Sequence, residues 1–259
     1  MESTQSQLAS YSSTEVSFAM FFPEAHLLGA AGALKPGANL GIGCQGVHPC
    51  DTQPGGNFGA FTTARTANSM VEAGCSHTII GHCEERGNLN SVLQEVGVSD
   101  AGAVARILNR EILAAQKAGL SVLYCVGERA EEQDDWQAVL GHQLDMGLKD
   151  VGRNSICIAY EPVWSIGPGK TPPNQEYITR IARFIKERTG GLPVVYGGGL
   201  KRDNAAMLSA IEEIDGGLIA LTRFSGEIGF YPQEYLEIVR EYLGKAKATQ
   251  SQPAQLDVT

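Results

Sequence analysis

Seven short apolar runs rich in β-branched and aromatic residues recur along this chain, at 16–22, 40–44, 78–80, 120–126, 156–160, 193–196 and 218–221. Stretches with helical spacing lie between most of them. Segment 101–118 sets Val104, Leu108, Ile112 and Ala115 three and four residues apart, with Arg106, Arg110 and Lys117 elsewhere. Segment 177–188 does the same with Ile178, Ile181, Phe184 and Ile185, and segment 231–243 with Tyr235, Ile238, Val239 and Tyr242. Nearly continuous apolar strands alternating with amphipathic helices predict a parallel sheet covered by helices, because each parallel connection needs a crossover and buries a sheet face. No shift in composition divides the pattern. It reads as one α/β domain over 1–245, followed by a flexible tail over 246–259 that is rich in Gln, Ala, Ser and Thr.

An open doubly wound sheet and a closed barrel both satisfy this alternation, and the strand ends separate them. Several runs finish in small or reactive residues: Gly81 and His82, Gly127 and Glu128, Glu161, then Gly197, Gly198 and Gly199. Groups that do chemistry collect at the C-terminal ends of barrel strands, whereas a dinucleotide fold concentrates its glycines after the first strand. No Gly-x-Gly-x-x-Gly opens a helix after the first run here. A length of 259 residues suits a single α/β barrel.

Composition excludes several classes. No stretch nears the roughly 18 apolar residues of a membrane span. The net charge of −9 comes without a basic patch for nucleic acid. Residues 1–7 have neither the basic nor the apolar region of a secretory signal. The six cysteines include no Cys-x-x-Cys pair, so they read as reduced thiols of a cytoplasmic protein rather than a disulfide framework or a metal site.

Glu161 follows Ile156, Cys157, Ile158, Ala159 and Tyr160, which places a carboxylate where an apolar strand emerges. A lone strand-end glutamate is usually solvated, but the residues after it change the reading. Pro162, Val163 and Trp164 are stiff and bulky, Ser165 to Gly169 alternates permissive and restricted backbone, and Lys170 and Thr171 close the segment. A rigid apolar tip between two hinge-like ends is how a lid is built, and a lid that excludes water strengthens every charge interaction beneath it. His82 likewise follows a strand and a glycine, and opens an acidic, polar run suited to a helix N-terminus.

The segment from Tyr160 to Lys170 resembles the catalytic glutamate and closing loop of the triosephosphate isomerase family. Ile79-Ile80-Gly81-His82-Cys83-Glu84-Glu85-Arg86 is similar to that family's strand-four ending, Gly-His-Ser-Glu-Arg-Arg, with Cys83 in place of the serine. Gly59-Ala60-Phe61-Thr62 resembles the subunit-interlocking loop, Tyr124-Cys125-Val126-Gly127-Glu128 the end of the fifth strand, and Tyr196-Gly197-Gly198-Gly199 the phosphate-facing Tyr-Gly-Gly-Ser. Ile214-Asp215-Gly216-Gly217 resembles the approach to the last strand, so the likeness covers about residues 14 to 243 in the family's order.

The resemblance implies a TIM (β/α)8-type barrel whose first β/α unit is missing or rebuilt, since 16–22 matches the family's second strand and residues 1–15 hold no Asn-x-Lys. It implies an aldose–ketose isomerase of a small phosphorylated sugar, with triose phosphate the default. Glu161 would be the base, and His82 a neutral ring at a helix N-terminus polarising the carbonyl, as in triosephosphate isomerase itself. Gly167, Gly198 and Gly199 would offer amides to the phosphate, and Glu84 would orient the site from behind. Neither metal nor organic cofactor is implied, and the assembly expected is a homodimer through 59–62. Two departures touch the phosphate end. Ile219-Ala220-Leu221-Thr222-Arg223-Phe224 stands where the family has Gly-Gly, and Gly199 replaces a serine. Lys201 and Arg223 lie near enough to supply charge instead, or are ordinary surface residues. These changes leave open a tetrulose-phosphate isomerase and a non-catalytic paralogue with a binding or regulatory role.

Overall fold

The structure is a computed structural model that describes residues 1–250, except Ala60, Pro168 and Phe224, and only the backbone over 245–250. Seven parallel strands pair strictly in chain order: β1 (Ala19–Phe22), β2 (Gly41–Cys44), β3 (His77–Ile80), β4 (Ser121–Val126), β5 (Ile156–Tyr160), β6 (Val194–Tyr196) and β7 (Gly216–Gly217). The sheet curls as a TIM-type α/β fold does, with helices covering its outside. Its registers put neighbouring strand ends side by side: Val126 pairs with Tyr160, and Tyr160 with Tyr196. All strands therefore finish at the same rim.

The helices predicted from spacing form as α5 (Ala103–Lys117), α7 (Gln175–Thr189) and α9 (Pro232–Gln250). Their apolar stripes face the sheet. Leu108, Ile112, Ile178, Ile181 and Ile185 are fully buried with Val122, Tyr124, Ile158 and Val194 in one core. Burial of each such aliphatic side chain contributes about 1.5–3 kcal/mol. Helix α7 is closed at both ends: the Asn174 side chain accepts the Tyr177 amide at 2.9 Å, and Gly190 takes the left-handed conformation at φ 65°. Helix α9 runs on to Gln250, into the segment read as a tail, and 251–259 lie outside the described residues.

Two elements depart from the expected pattern. Residues 1–15 begin with a helix, α1 (Glu2–Leu8), packed against α9. Leu8 is buried with Leu40 and with Tyr235, Leu236 and Val239 of α9. The Gln5 side chain closes α2 (Glu24–Ala33), donating to the Ala33 carbonyl and accepting the Lys35 amide, both at 2.8 Å. At the other edge, β7 is Gly216–Gly217 rather than 218–221. Its partner β6 ends at Tyr196, and Gly197 already turns away, so no ladder remains for the apolar residues that follow. The Leu218 amide still donates to the Tyr196 carbonyl at 2.9 Å, and its carbonyl accepts from the Leu200 amide at 2.7 Å.

Candidate active site

Glu161 leaves β5 at the rim between two glycines that let it fit. Its amide donates to the Val126 carbonyl at 2.8 Å, extending the β4–β5 ladder by one residue. A Cβ on Gly127 would overlap the Glu161 carbonyl oxygen, and one on Gly197 would stand 2.8 Å from the Glu161 Cγ. Both flanking strands must therefore end in glycine for the glutamate to sit where it does.

The carboxylate crosses the rim to α4 (Cys83–Glu95), 78 residues away in sequence, where the Cys83 amide donates to Oε2 at 2.9 Å. A helix N-terminus favours an anion at that point. Oε1 lies 3.4 Å from Nε2 of His82, the residue that caps α4. The Glu84 amide donates to His82 Nδ1 at 3.3 Å, so the neutral ring carries its hydrogen on Nε2, toward Glu161. Glu161 is only 2% exposed. Burial pushes its pKa above the ordinary glutamate value, while His82, the Cys83 amide and Arg86 pull it back. A raised carboxylate beside an imidazole N–H is the pairing that proton transfer at neutral pH requires. The Cys83 thiol sits 3.9 and 4.0 Å from the two ring nitrogens, and burial, reinforced by Glu161 and Glu84, pushes it up to about 11.

A clamp holds the peptide that presents His82. Gly81 has φ +81°, and a Cβ there would stand 2.8 Å from the Cys125 carbonyl oxygen. Its amide donates to Glu85, and its carbonyl accepts from Arg86 Nε at 2.8 Å. Arg86 also binds the Tyr124 hydroxyl at 3.0 Å and the Cys125 carbonyl at 2.7 Å. Behind Glu85 lies Glu111 of α5, 5% exposed and hydrogen-bonded to it. Burial, then the Glu85 charge, raises the Glu111 pKa to about 9 against the pull of Arg65 and Arg110. Glu111 thus keeps its proton and donates it to the carboxylate that grips Gly81. The sequence carried a signal for it: position 111 falls on the same helical stripe as Leu108 and Ile112, where an acid is out of place.

The lid is tethered at one end and open at the other. Buried Glu128, at the end of β4, accepts on Oε1 from the Tyr160 hydroxyl at 2.9 Å, the Trp164 indole at 2.7 Å and the Tyr177 hydroxyl at 3.0 Å. Trp164 lies in the short turn Val163–Ser165 that starts the lid. Gly167 (φ +119°) and Gly169 (φ +74°) are exposed with open space about them, and Pro168 between them lies outside the described residues.

Comparison with known proteins identifies the family. The family model described as triosephosphate isomerase matches residues 1–241. The chain is 37% identical over 229 residues to triosephosphate isomerase of Halorhodospira halophila, covering 83% of this chain and 82% of that one. It is 33% identical over 207 residues to that of Synechococcus sp. (strain JA-2-3B'a(2-13)), covering 78% and 73%. The crystal structure of triosephosphate isomerase from Bartonella henselae superposes with a TM-score of 0.68 at 28% identity, covering 94% of each chain. The chain belongs to the triosephosphate isomerase family.

The rest of the rim is less regular. Gly198 packs so closely that a Cβ there would overlap the Tyr196 hydroxyl and stand 2.9 Å from Pro162 Cγ at the base of the lid. Gly199 has φ +93°, with the Lys201 Cε 3.5 Å from where its Cβ would be. Gly167 stands apart from both. Glu84 is 86% exposed, its carboxylate 3.8 Å from His82 Nδ1. Ala220 and Leu221 are exposed in irregular backbone after β7. Arg223 is held by Glu234 at 2.6 Å and lies 3.8 Å over the Tyr231 ring, so its charge is already engaged; Phe224 lies outside the described residues.

Proposed function

We propose that the chain is an aldose–ketose isomerase of small sugar phosphates, interconverting glyceraldehyde 3-phosphate and dihydroxyacetone phosphate through an enediolate. The observation that carries this reading is the convergence of a buried Glu161 carboxylate and the His82 Nε2–H at 3.4 Å. Glu161 takes the proton α to the carbonyl and returns it to the neighbouring carbon. The Nε2–H of His82 donates to the carbonyl oxygens, where charge develops. Before that, Glu161 must leave the Cys83 amide for the substrate carbon, which frees the N-terminus of α4 for the incoming oxygen. The amides of Gly167, Gly198 and Gly199 receive the phosphate, Gly167 on lid closure. Glu84 orients His82 through its backbone amide and its nearby carboxylate. These acid–base groups suffice for the reaction without a cofactor.

The rebuilt backbone at 220–223 favours a second reading in which the same chemistry acts on a four-carbon sugar phosphate, and a binding or regulatory paralogue is the non-catalytic counterpart. Residues 59–62 join two copies as a homodimer. Phe58 beside them is 76% exposed, and a cleft of about 530 Å³ lined by Val47, His48 and Arg65 opens next to His82. The protein works in the cytoplasm, in keeping with its reduced thiols; no helix among the described residues is long and apolar enough to cross a membrane. The deciding experiment is interconversion of the two triose phosphates by purified protein. Wild type should turn over and Glu161→Gln should not. If both show the same background on triose and tetrulose phosphates alike, the enzyme reading fails.

A further inference from the structure

The substitution of a thiol for a hydroxyl at position 83 changes what the proton-transfer centre can bind. Nitrogen of His82, sulfur of Cys83 and a carboxylate oxygen of Glu161 all lie within 4.8 Å of one another. The sulfur is 4.0 Å from Nε2, and Nε2 is 3.4 Å from Oε1. Around a tetrahedral zinc, with bonds of about 2.0–2.1 Å to nitrogen or oxygen and about 2.3 Å to sulfur, donor atoms stand roughly 3.3–3.6 Å apart. Closing these spacings onto one ion takes about half an ångström for the two pairs with His82 and up to roughly 1.3 Å for the Cys83–Glu161 pair, within reach of side-chain rotation.

We propose that His82, Cys83 and Glu161 form a binding site for a thiophilic divalent cation of the Zn²⁺ type, which acts as an inhibitor of the isomerase centre and not as its cofactor. Nitrogen, sulfur and oxygen donors with one position left open are the make-up of an accessible zinc site. A serine hydroxyl is a poor ligand for such an ion, so the thiol creates the preference, and it excludes Mg²⁺ and Ca²⁺, which take oxygen donors. The His82 side chain is 40% exposed, which gives the ion an entry path from solvent. On binding, the Cys83 thiol gives up its proton to solvent and coordinates as thiolate, and coordination through Nε2 moves the ring hydrogen to Nδ1. That nitrogen gives up the Glu84 amide and finds the Glu84 carboxylate, 3.8 Å away on an exposed side chain. The bound ion removes both the lone pair of the base and the N–H of the electrophile, so inhibition is competitive with substrate.

Chelator-treated protein titrated with Co²⁺ as a spectroscopic stand-in tests the site without any assumption about turnover. One equivalent should bind with an intense thiolate-to-cobalt absorption band, and Zn²⁺ should abolish the band by displacement. Cys83→Ser and Cys83→Ala should lose the band and bind at least tenfold more weakly, while Cys50→Ser, at the exposed cysteine beside His48, should not. Zn²⁺ should also protect Cys83 of the wild-type protein from alkylation, read by mass spectrometry of its peptide. A band that survives both Cys83 substitutions, or its absence from wild type, overturns the proposal. A chain that binds the ion yet turns over no sugar phosphate would defeat only the isomerase reading; an active chain indifferent to Zn²⁺ would defeat only this one.

Discussion

Replacing Glu111 by glutamine should make the protein progressively more stable than wild type as pH rises. In the unfolded chain Glu111 titrates near the ordinary value of 4.5, and in the fold near 9, so between these values the folded state holds a proton that the unfolded state has released. The folded-state pKa is raised, so the stability linked to this proton is complete below about pH 4.5 and is lost as pH rises toward 9. Glutamine keeps a donor for Glu85 and does not titrate. The difference in unfolding free energy should widen by up to about 1.4 kcal/mol per pH unit. From pH 6 to pH 8 that amounts to about 2.7 kcal/mol, or roughly 5–11 °C in Tm for a chain of this size. At 5% exposure Glu111 needs little discount for solvent screening. Urea and thermal unfolding of both proteins across pH 5.5–8.5, at one fixed protein concentration, measure it. Parallel pH curves would refute the buried neutral acid, and with it the account of how Gly81 is gripped.

Gly197→Ala should push Glu161 out of line and lower kcat at least 100-fold, since a displacement near 1 Å has that effect on a positioned base; near-wild-type kcat would show that the overlap is relieved elsewhere. Trp164→Phe removes one of three donors to Glu128 and should free the lid, so limited proteolysis between 164 and 170 should quicken. Unchanged cleavage would mean the two tyrosines hold the lid alone. Arg223→Ala should leave KM for triose phosphate within about threefold, because Glu234 and Tyr231 already occupy that charge; a tenfold rise would place Arg223 on the phosphate. The double change Ala220→Gly and Leu221→Gly should lower KM roughly tenfold with kcat unchanged, at about 1.5 kcal/mol for one amide bond gained to the phosphate. No change in KM would show that crowding is not what limits binding there.

The alternation of apolar runs and helical stripes was enough to place six strands and their partners, because burial on both faces leaves few other uses for such runs. It failed at the two edges, where context rather than pattern decides. The segment Glu2–Leu8 is mostly polar, and only Leu8 against α9 and Gln5 against α2 make it a helix worth forming. The apolar residues 218–221 look more like a strand than Gly216–Gly217, but pairing follows the partner, and β6 has run out. His82 and Glu161 were recognisable one motif at a time; their separation in space was not, since nothing in a linear spacing of 79 residues gives 3.4 Å. Glu111 was hidden for a different reason. An acid on a buried stripe looks like an error in the pattern until the second acid it hydrogen-bonds is seen beside it.

These differences divide the rim into two halves with unequal freedom. The half that holds Glu161 and His82 is over-determined: Gly81 is gripped on both sides of its peptide, Gly127 and Gly197 pack against the Glu161 backbone and Cγ, and Cys125 and Tyr124 anchor Arg86. Substitution at any of these positions disturbs several contacts at once. The other half follows a strand of two residues and then irregular backbone, where Thr222 and Arg223 bond to Gly229 and exposed side chains meet little. Changes there perturb few packed neighbours. A family member drifting toward a new sugar phosphate would therefore alter 219–224 first and keep the Glu161–His82 pair, which is the distribution of differences this chain carries. Cys83 and Glu85 both depart from the family motif inside the rigid half; Cys83 keeps its backbone amide on Glu161 and alters only the side chain. That is why it can change what the centre binds without displacing the base.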